Sequence, residues 1–216
     1  MARKLDLDKT GLEFTRNWFL NRNHSTFVEY IHPAWAGKPI TYLELGVFEG
    51  MSMSWMLQHI LTHNDARAVG VDPWLMTSEL DAEMMDEVHG RAAKNVRLGE
   101  NTYCHSAGQW KCLLIQANSI EALTRMNKRG GFAGITKGSV DLCMIDGDHN
   151  SGAVLDDARK ALPLMRRGGW MLFDDVENAV KKADHVKQDL ELWLSEQSDR
   201  SKQIWKHRYM EAFEVL

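Results

Sequence analysis

The chain has 216 residues, of which 44% are hydrophobic and 26% charged, and its formal net charge is −4. This composition excludes wholesale disorder, and the negative charge excludes the basic footprint of a general nucleic-acid binder, although it still allows a local basic patch. No apolar run approaches the ~18 residues that a membrane helix needs, and the charged N-terminus does not resemble a secretory signal. The three cysteines lack C-x-x-C spacing, which favours a reducing cytosol over a disulfide framework or a structural zinc site. We therefore expect a soluble cytoplasmic protein with no membrane partner.

The first part of the chain predicts a helical segment. Residues 9–34 carry apolar side chains at helical spacing, with a break expected at the polar stretch 21–25. This face would pack on a larger body, so we predict two parts, an N-terminal helical segment at 1–38 and a main domain at 39–216. Trp18 and Trp35 also make this segment a candidate interface for a homo-oligomer.

From residue 40, predicted strands and helices alternate. The predicted strands occupy residues 40–45, 67–71, 112–117, 140–145 and 170–173, followed by two tail strands at 203–210 and 211–216. The predicted helices occupy residues 51–63, 78–97, 119–128, 151–166 and 178–195, and Arg166–Gly169 would end the fourth of them by C-cap chemistry. Such alternation predicts an α/β fold with a doubly wound, mostly parallel sheet and an antiparallel C-terminal hairpin. Ligands of these sheets bind beyond the carboxyl ends of the strands, so residues directly after each strand are the candidates for function.

Two glycines, Gly46 and Gly50, follow the first predicted strand. Their spacing allows a tight turn in which a ligand approaches main-chain amides at the start of the next helix. The stretch is neither G-x-G-x-x-G nor a P-loop, which disfavours a nicotinamide dinucleotide. A tight strand-to-helix turn without a ligand is the equally good alternative.

Polar residues also follow the second and third predicted strands. Asp72 stands where doubly wound sheets place an acid for ribose hydroxyls, although a turn or capping role before Pro73 is the alternative. Trp74 could lie on an adenine face or anchor the following loop. Asn118 and Ser119 could bond an adenine edge or form a helix N-cap.

Acidic residues after the fourth and fifth predicted strands are the most informative feature. Asp146 and Asp148 follow one strand, and Asp174 and Asp175 follow the other. Carboxylates that converge from neighbouring strand ends repel unless a proton or a hard cation such as Mg²⁺, Mn²⁺ or Ca²⁺ neutralises them. Capping of the next helices explains one acid at each place but not the cluster. His149, three residues beyond Asp146, is a candidate general base.

Together these motifs resemble class I S-adenosylmethionine (SAM)-dependent methyltransferases, whose sheet is Rossmann-like and seven-stranded. Residues 44–50 are similar to their first motif, Val71-Asp72 to their ribose acid and Asn118-Ser119 to their adenine contact. Residues 145–149 and 168–175 are similar to the metal-dependent O-methyltransferases, in the branch of antibiotic-sugar O-methyltransferases and cephalosporin-hydroxylase-like proteins. The resemblance covers about residues 40 to 176.

The resemblance implies two cofactors, SAM and a divalent cation such as Mg²⁺. In the methyl-donor site, Gly46 and Gly50 would border the methionine, Glu44 would support it, Ser52 would bind its carboxylate, and Asp72 would hold the ribose. The resemblance adds Asn118, Ser119 and Asp146 to the donor contacts. It assigns Asp146, Asp174 and Asp175 to the cation and makes His149 the base.

The implied activity is O-methylation of a small hydroxylated molecule such as a sugar or a phenol. Asp174-Asp175 replaces the Asp-Asn that is usual in catechol-type enzymes, which points away from catechols. The net charge disfavours a nucleic-acid acceptor, and residues 73–110 could shape the substrate pocket. Two alternatives stay open: a metal-independent methyltransferase with another acceptor, and a methyltransferase-like binding protein without catalysis.

Overall fold

The computed structural model describes residues 11–75, 81–103, 111–176 and 184–216. The N-terminal part contains α1 (Trp18–Arg22), α2 (His24–Thr26), a π-helical turn (Phe27–Ile31) and α3 (His32–Trp35). The strands are β1 (Thr41–Leu45), β2 (Arg67–Asp72), β3 (Cys112–Gln116), β4 (Val140–Ile145), β5 (Met165–Phe173), β6 (Ser201–His207) and β7 (Met210–Val215). The helices that follow α3 are α4 (Met51–His59), α5 (Ala82–Tyr103), α6 (Ser119–Met126), α7 (Ala153–Ala161) and α8 (Asp184–Gln197).

Within the described residues, seven strands form a mixed sheet in the order β3-β2-β1-β4-β5-β7-β6. The pairs β1–β4, β4–β5 and β2–β3 are parallel, whereas β7 is antiparallel to both β5 and β6. This confirms the predicted doubly wound sheet with an antiparallel C-terminal hairpin. The strand order reverses at β1 and β4, so the carboxyl ends of these two strands form the topological switch point where such sheets bind ligands.

The chain is organised into two compact units. The first comprises Met1–Ile40 and Val47–Ala117, and the second comprises Thr41–Gly46 and Asn118–Leu216. In the first unit, the N-terminal helices meet α4 through aromatic rings, with Phe27 edge-on to Trp55 at 5.5 Å. In the second unit, the rings of Phe173, Trp193 and Phe213 pack at 5.2–5.7 Å between centroids. The proposed boundary between residues 38 and 39 stays a prediction.

The N-terminal prediction was wrong in its bounds. Residues 11–17 are not helical, and the first helix begins at Trp18. The break is Asn23 alone, which separates α1 from α2, rather than the whole stretch 21–25. Residues 9 and 10 lie outside the described residues.

The largest error concerns Arg166–Gly169, which belong to β5 and do not cap a helix. The preceding helix ends at Ala161, and a 3₁₀ turn around Pro163 leads directly into the strand. The pairing register of β4 and β5 shifts between Val140 and Leu142, and Gly168 has a φ of +77°, as expected for an irregular strand.

Other ends differ by smaller amounts. The helix predicted at 78–97 continues to Tyr103, the helix predicted to reach residue 63 ends at His59, and the one predicted at 178–195 ends at Gln197. The starts predicted at 78 and 178 lie outside the described residues. Among the described helices, none combines the length and the apolar character needed to cross a membrane.

Candidate functional site

The carboxyl ends of β1 and β4 meet through backbone contacts that require glycine at residue 46. The Asp146 N–H donates to the Leu45 carbonyl oxygen at 2.8 Å. Gly46 has a φ of +88°, and a Cβ atom there would lie 1.9 Å from the Asp146 carbonyl oxygen. Gly46 therefore allows the two strand ends to approach closely, which fixes the Asp146 backbone at the switch point.

Beside this contact, the second unit brings Asp146, His149 and Asp175 together. The candidate ligand atoms of these three residues all lie within 4.8 Å of one another. His149 lies between the two acids, with Nδ1 3.6 Å from an Asp175 Oδ2 and Nε2 3.8 Å from an Asp146 Oδ1. Asp175 has a φ of +55°, a left-handed backbone conformation that is uncommon for a residue other than glycine.

The electrostatics of this cluster follow from its crowding. Restricted access to water raises the pKa of Asp146, an effect partly opposed by the nearby His149. The Asp146 carboxylate in turn raises the pKa of His149, although burial of the imidazole acts in the opposite direction. Asp174 is buried beside them and acts on both Asp146 and His149. The cluster therefore favours a bound positive charge.

These residues fit a divalent cation. Two carboxylates and an imidazole whose ligand atoms lie within 4.8 Å of one another form a donor set that can bind Mn²⁺ and similar divalent cations. The buried Nε2 atom of His149 makes no hydrogen bond. The sequence predicted Asp146, Asp174 and Asp175 as ligands. The structure groups His149 with Asp146 and Asp175, and Asp174 stands outside that trio.

Asp157, an acid that the sequence interpretation did not select, lies near Gly147 in the same unit. It projects from α7, is 2% exposed, and has an Oδ1 atom without a hydrogen-bond partner. Its other oxygen lies 3.6 Å from the place of a Cβ on Gly147. Burial raises its pKa to about 6, and the hydrogen bond with the Ser119 side chain opposes the shift only partly. Its spacing from Val154 and Ala161 on the apolar face of α7 was the available signal.

Asn118 and Ser119 adopt helix-start roles in the second unit. The Asn118 Oδ1 accepts from the Ile120 N–H at 2.9 Å, so Asn118 is the N-cap of α6. Ser119 is the first residue of that helix and bonds Asp157. The capping alternative is therefore realised, and the adenine contact stays a prediction.

In the first unit, Asp72 binds the loop that follows β1. Its Oδ2 accepts from the Val47 and Phe48 N–H groups, both at 2.9 Å, and its Oδ1 accepts from the Trp74 N–H at 2.7 Å. A carboxylate has about four acceptor positions, so these three bonds leave limited capacity for ribose hydroxyls. The ribose role stays a prediction, and Asp72 also holds this loop.

Trp74 anchors the same loop. Its Nε1–H donates to the Phe48 carbonyl at 2.8 Å, and its ring stacks on His89 of α5 at 4.3 Å. The side chain is 2% exposed and packs with Val47, Met85 and Val88. The interpretation as a loop anchor therefore describes Trp74 in this structure.

Glu49 is a buried acid that the sequence interpretation also missed. Its carboxylate accepts from the Thr15 N–H at 2.7 Å, the Thr15 hydroxyl at 2.8 Å and the Arg91 Nε at 2.6 Å. Its carbonyl accepts from the Asn95 side chain at 3.0 Å. The available signal was an acid within the otherwise apolar and small residues 46–51.

A cleft of about 290 Å³ opens in the first unit beside this loop. Phe48, Met84 and Val88 form its apolar wall, and the ring of Trp18 lies 4.8 Å from that of Phe48. Its polar lining residues are Thr15, Arg16, Glu87 and Arg91.

The remaining predicted donor residues are buried and are divided between the two units. Glu44 lies in β1 of the second unit and is 0% exposed. Gly50 and Ser52 lie in the first unit, where Gly50 has a φ of +76° as the N-cap of α4 and Ser52 is a buried residue of its first turn. Their roles toward SAM stay predictions.

Comparison with known proteins identifies the family. Residues 43–176, more than half of the chain, match a family described as Methyltransferase domain. The chain belongs to this methyltransferase family. The match covers all of β4 and β5 and residues 43–45 of β1, together with the acids that follow β4 and β5.

Individual relatives are distant. An uncharacterized protein, R132 of Acanthamoeba polyphaga mimivirus, is 23% identical over 159 residues, which are 72% of this chain but only 60% of that protein. The structure of CalS11, a calicheamicin methyltransferase, is similar with a TM-score of 0.62 and 13% identity, covering 92% of this chain and 82% of that one. A candidate O-methyltransferase from Klebsiella pneumoniae is similar with a TM-score of 0.57 and 18% identity, covering 96% and 85%. At these identities, the structural likeness establishes the methyltransferase fold.

Proposed function

We propose that this family member is a SAM-dependent O-methyltransferase that acts on a hydroxyl group of a small molecule and uses a divalent cation. The observation that carries the proposal is the cluster of Asp146, His149 and Asp175 at the topological switch point. Family membership supports methyl transfer from SAM. The relatives named for calicheamicin and O-methylation are consistent with a hydroxylated small molecule as acceptor.

The chain's own residues can perform the proton transfer that O-methylation requires. His149 would accept the hydroxyl proton, and the carboxylates of Asp146 and Asp175, 3.8 and 3.6 Å away, would stabilise the imidazolium that results. Their partial burial strengthens this interaction relative to water.

The remaining assignments concern binding. Asp146 and Asp175, with Asp174 or His149, would hold the cation. Gly46 and Gly50 would border the methionine of the donor, Ser52 would meet its carboxylate at the start of α4, and Asp72 would accept from its ribose. Bound SAM would supply the electrophilic methyl group, and the bound cation would lower the pKa of the acceptor hydroxyl.

His149 has two alternative roles in this proposal. As a base it must be free of the cation, and as a ligand it cannot remove a proton. The sequence-based hypothesis assigned it the first role, and its position between two acids is compatible with both. A His149→Asp variant separates them, because an aspartate retains a metal-ligating oxygen but is a much weaker base.

Titration calorimetry of SAM tests the proposal, with EDTA-treated protein and with added Mg²⁺ or Mn²⁺, followed by turnover with a panel of sugars and phenols. We expect SAM binding in the micromolar range and methylation of at least one hydroxylated compound that EDTA abolishes. Turnover that is unaffected by EDTA would support the metal-independent alternative. Absence of SAM binding would support a methyltransferase-like protein without catalysis.

A further inference from the structure

We propose that Glu49 is a positioning residue for methyl-donor binding, through which the N-terminal segment and α5 hold the loop after β1 in its binding conformation. The inference rests on the proposed function, since it concerns the affinity for SAM. Glu49 itself would not contact the donor. It would act through the backbone of residues 47–49 and through Asp72.

The Glu49 carboxylate is buried and is held by several hydrogen bonds. Its side chain is 1% exposed, yet the carboxylate receives three hydrogen bonds, two from Thr15 and one from Arg91. Bonds between charged groups in a buried setting are stronger than neutral ones, and a buried carboxylate that loses them is strongly disfavoured. Glu49 is therefore held in one place from both sides.

The Glu49 backbone is also bound, through its carbonyl, by a side chain of α5. Asn95, which is 0% exposed, donates from its side-chain nitrogen to the Glu49 carbonyl at 3.0 Å and to the Glu13 carbonyl at 2.8 Å. Its Oδ1 accepts from the Glu13 N–H at 2.9 Å. One amide thus joins the loop, α5 and the N-terminal segment.

The residues directly before Glu49 bind Asp72, which is predicted to contact the ribose of the methyl donor. Val47 and Phe48, directly before Glu49, donate their amides to the same oxygen of Asp72. The Trp74 Nε1–H donates to the Phe48 carbonyl at 2.8 Å. Movement of Glu49 would therefore release the amides that orient Asp72, the predicted ribose acid.

Backbone conformation makes this loop dependent on such support. Phe48 has a φ of +51° and Trp74 a φ of +43°, which are left-handed values that aromatic residues seldom adopt. Residues in these conformations persist where the surroundings impose them. Glu49, Asn95, Asp72 and Trp74 are among the described side chains that hold this loop in its conformation.

The test compares Glu49→Gln with Asp141→Asn. Asp141 is a matched control because it is also a buried carboxylate that accepts from a backbone amide, that of Thr41, and from an arginine, Arg166. SAM affinity is measured by calorimetry, and hydrogen exchange is followed in the peptide that contains residues 45–50. We expect Glu49→Gln to weaken SAM binding about tenfold and to accelerate exchange in that peptide, whereas Asp141→Asn lowers the melting temperature without changing either.

Three further variants guard against a folding defect. Arg91→Lys retains a cation for Glu49 and should keep SAM affinity within about threefold of the parent, whereas Arg91→Ala should reproduce the tenfold loss. Thr15→Ala removes one of the three bonds and should fall between them. The Asp141→Asn control separates this graded order from the effect of a general loss of stability.

The outcomes are distinguishable. If the parent protein does not bind SAM, the proposed function fails and this inference fails with it. If the parent binds SAM and Glu49→Gln binds equally well, the inference alone is overturned, whatever the exchange rates show. Equal weakening by Asp141→Asn would also overturn it, because the effect would then follow stability and not position.

Discussion

The backbones of Gly46 and Asp146 lie so close together that a residue with a side chain does not fit at residue 46. The nearest atom to a Cβ there would be the Asp146 carbonyl oxygen, at 1.9 Å, followed by the carbonyl carbon at 2.4 Å. Both are backbone atoms at the start of the loop that carries His149, so they cannot move aside cheaply. A change of conformation at Gly46 would therefore displace the Asp146 backbone, and the reverse is also true.

We expect Gly46→Ala to disrupt this contact. The variant combines a clash with a positive φ, and it should lower the free energy of unfolding by about 3 kcal/mol or more and weaken SAM binding. Gly90→Ala is the control, because a Cβ at this position in α5 meets nothing within 4 Å, and alanine should stabilise the helix by about 0.5–1 kcal/mol. Urea unfolding of both variants measures the difference, and equal stabilities would contradict the argument.

Cation binding should stabilise the folded protein through Asp175. At about one hundred times its dissociation constant, a ligand adds about 2.7 kcal/mol, which for a chain of this size raises the melting temperature by about 5–10 °C. We expect this shift when Mn²⁺ or Mg²⁺ is added to EDTA-treated protein, and its loss in Asp175→Asn. Asp148→Asn is the control, because that exposed acid accepts hydrogen bonds from Asn150 and is not one of the three clustered residues, so the variant should retain the shift. A shift that survives Asp175→Asn would place the cation elsewhere.

Removal of the His149 imidazole should affect turnover more than donor binding. General-base catalysis contributes about 10²–10⁴-fold to the rate, so His149→Gln should lower kcat by at least about a hundredfold while SAM affinity changes little. His185→Gln, at an exposed position of α8, should leave both unchanged. A folded His149→Gln protein with parental turnover would eliminate the histidine as base.

Asp157 should cost stability at neutral pH. Its pKa in the folded protein is about 6, above the value of 3.8 expected in the unfolded chain, so the folded state loses relative stability as the pH rises from about 4 to 6. Asp157→Asn should therefore increase the free energy of unfolding by about 1–2 kcal/mol at pH 7.5 and have no such effect at pH 4. Asp156→Asn, at the exposed neighbouring position, should change little at either pH. Urea unfolding at the two pH values is the measurement, and a gain of equal size at both would show that ionisation of Asp157 is not its source.

The sequence was sufficient to locate the carboxyl ends of the strands and the acids beyond them. Strand alternation is a local pattern, and parallel strands must bring their carboxyl ends to one edge, so Asp146 and Asp175 could be associated without coordinates. Local pattern was insufficient where tertiary contacts decide. Arg166–Gly169 contains Gly168-Gly169, a dipeptide typical of helix ends, but Arg166 pairs with buried Asp141 in an extended strand. The partners of Glu49, at residues 15 and 91, are equally remote in sequence, and no spacing rule could have assigned them.

The packing of the N-terminal helices on α4 should weaken in mild acid because of His59. Its pKa is lowered to about 4, first by burial and then by electrostatic interaction with His32 and His24. An unfolded histidine titrates near 6.5, so between pH 6.5 and 4 the unfolded chain holds a proton that the folded one does not, and the free energy of unfolding falls as the pH decreases through this window. The imidazole also lies 4.8 Å from the Trp55 ring, at the centre of the aromatic contacts between α4 and the N-terminal helices. Allowing for its partial exposure, we expect a loss of about 2 kcal/mol.

The measurement is urea unfolding of the parent and of His59→Gln between pH 7 and 4.5. The variant should gain about 2 kcal/mol relative to the parent across that range, because other titrating groups contribute equally to both proteins. His63→Gln, whose imidazole is solvent-exposed beside Asp65, should show no such gain. A constant difference between parent and His59→Gln at all pH values would assign the acid sensitivity to other residues.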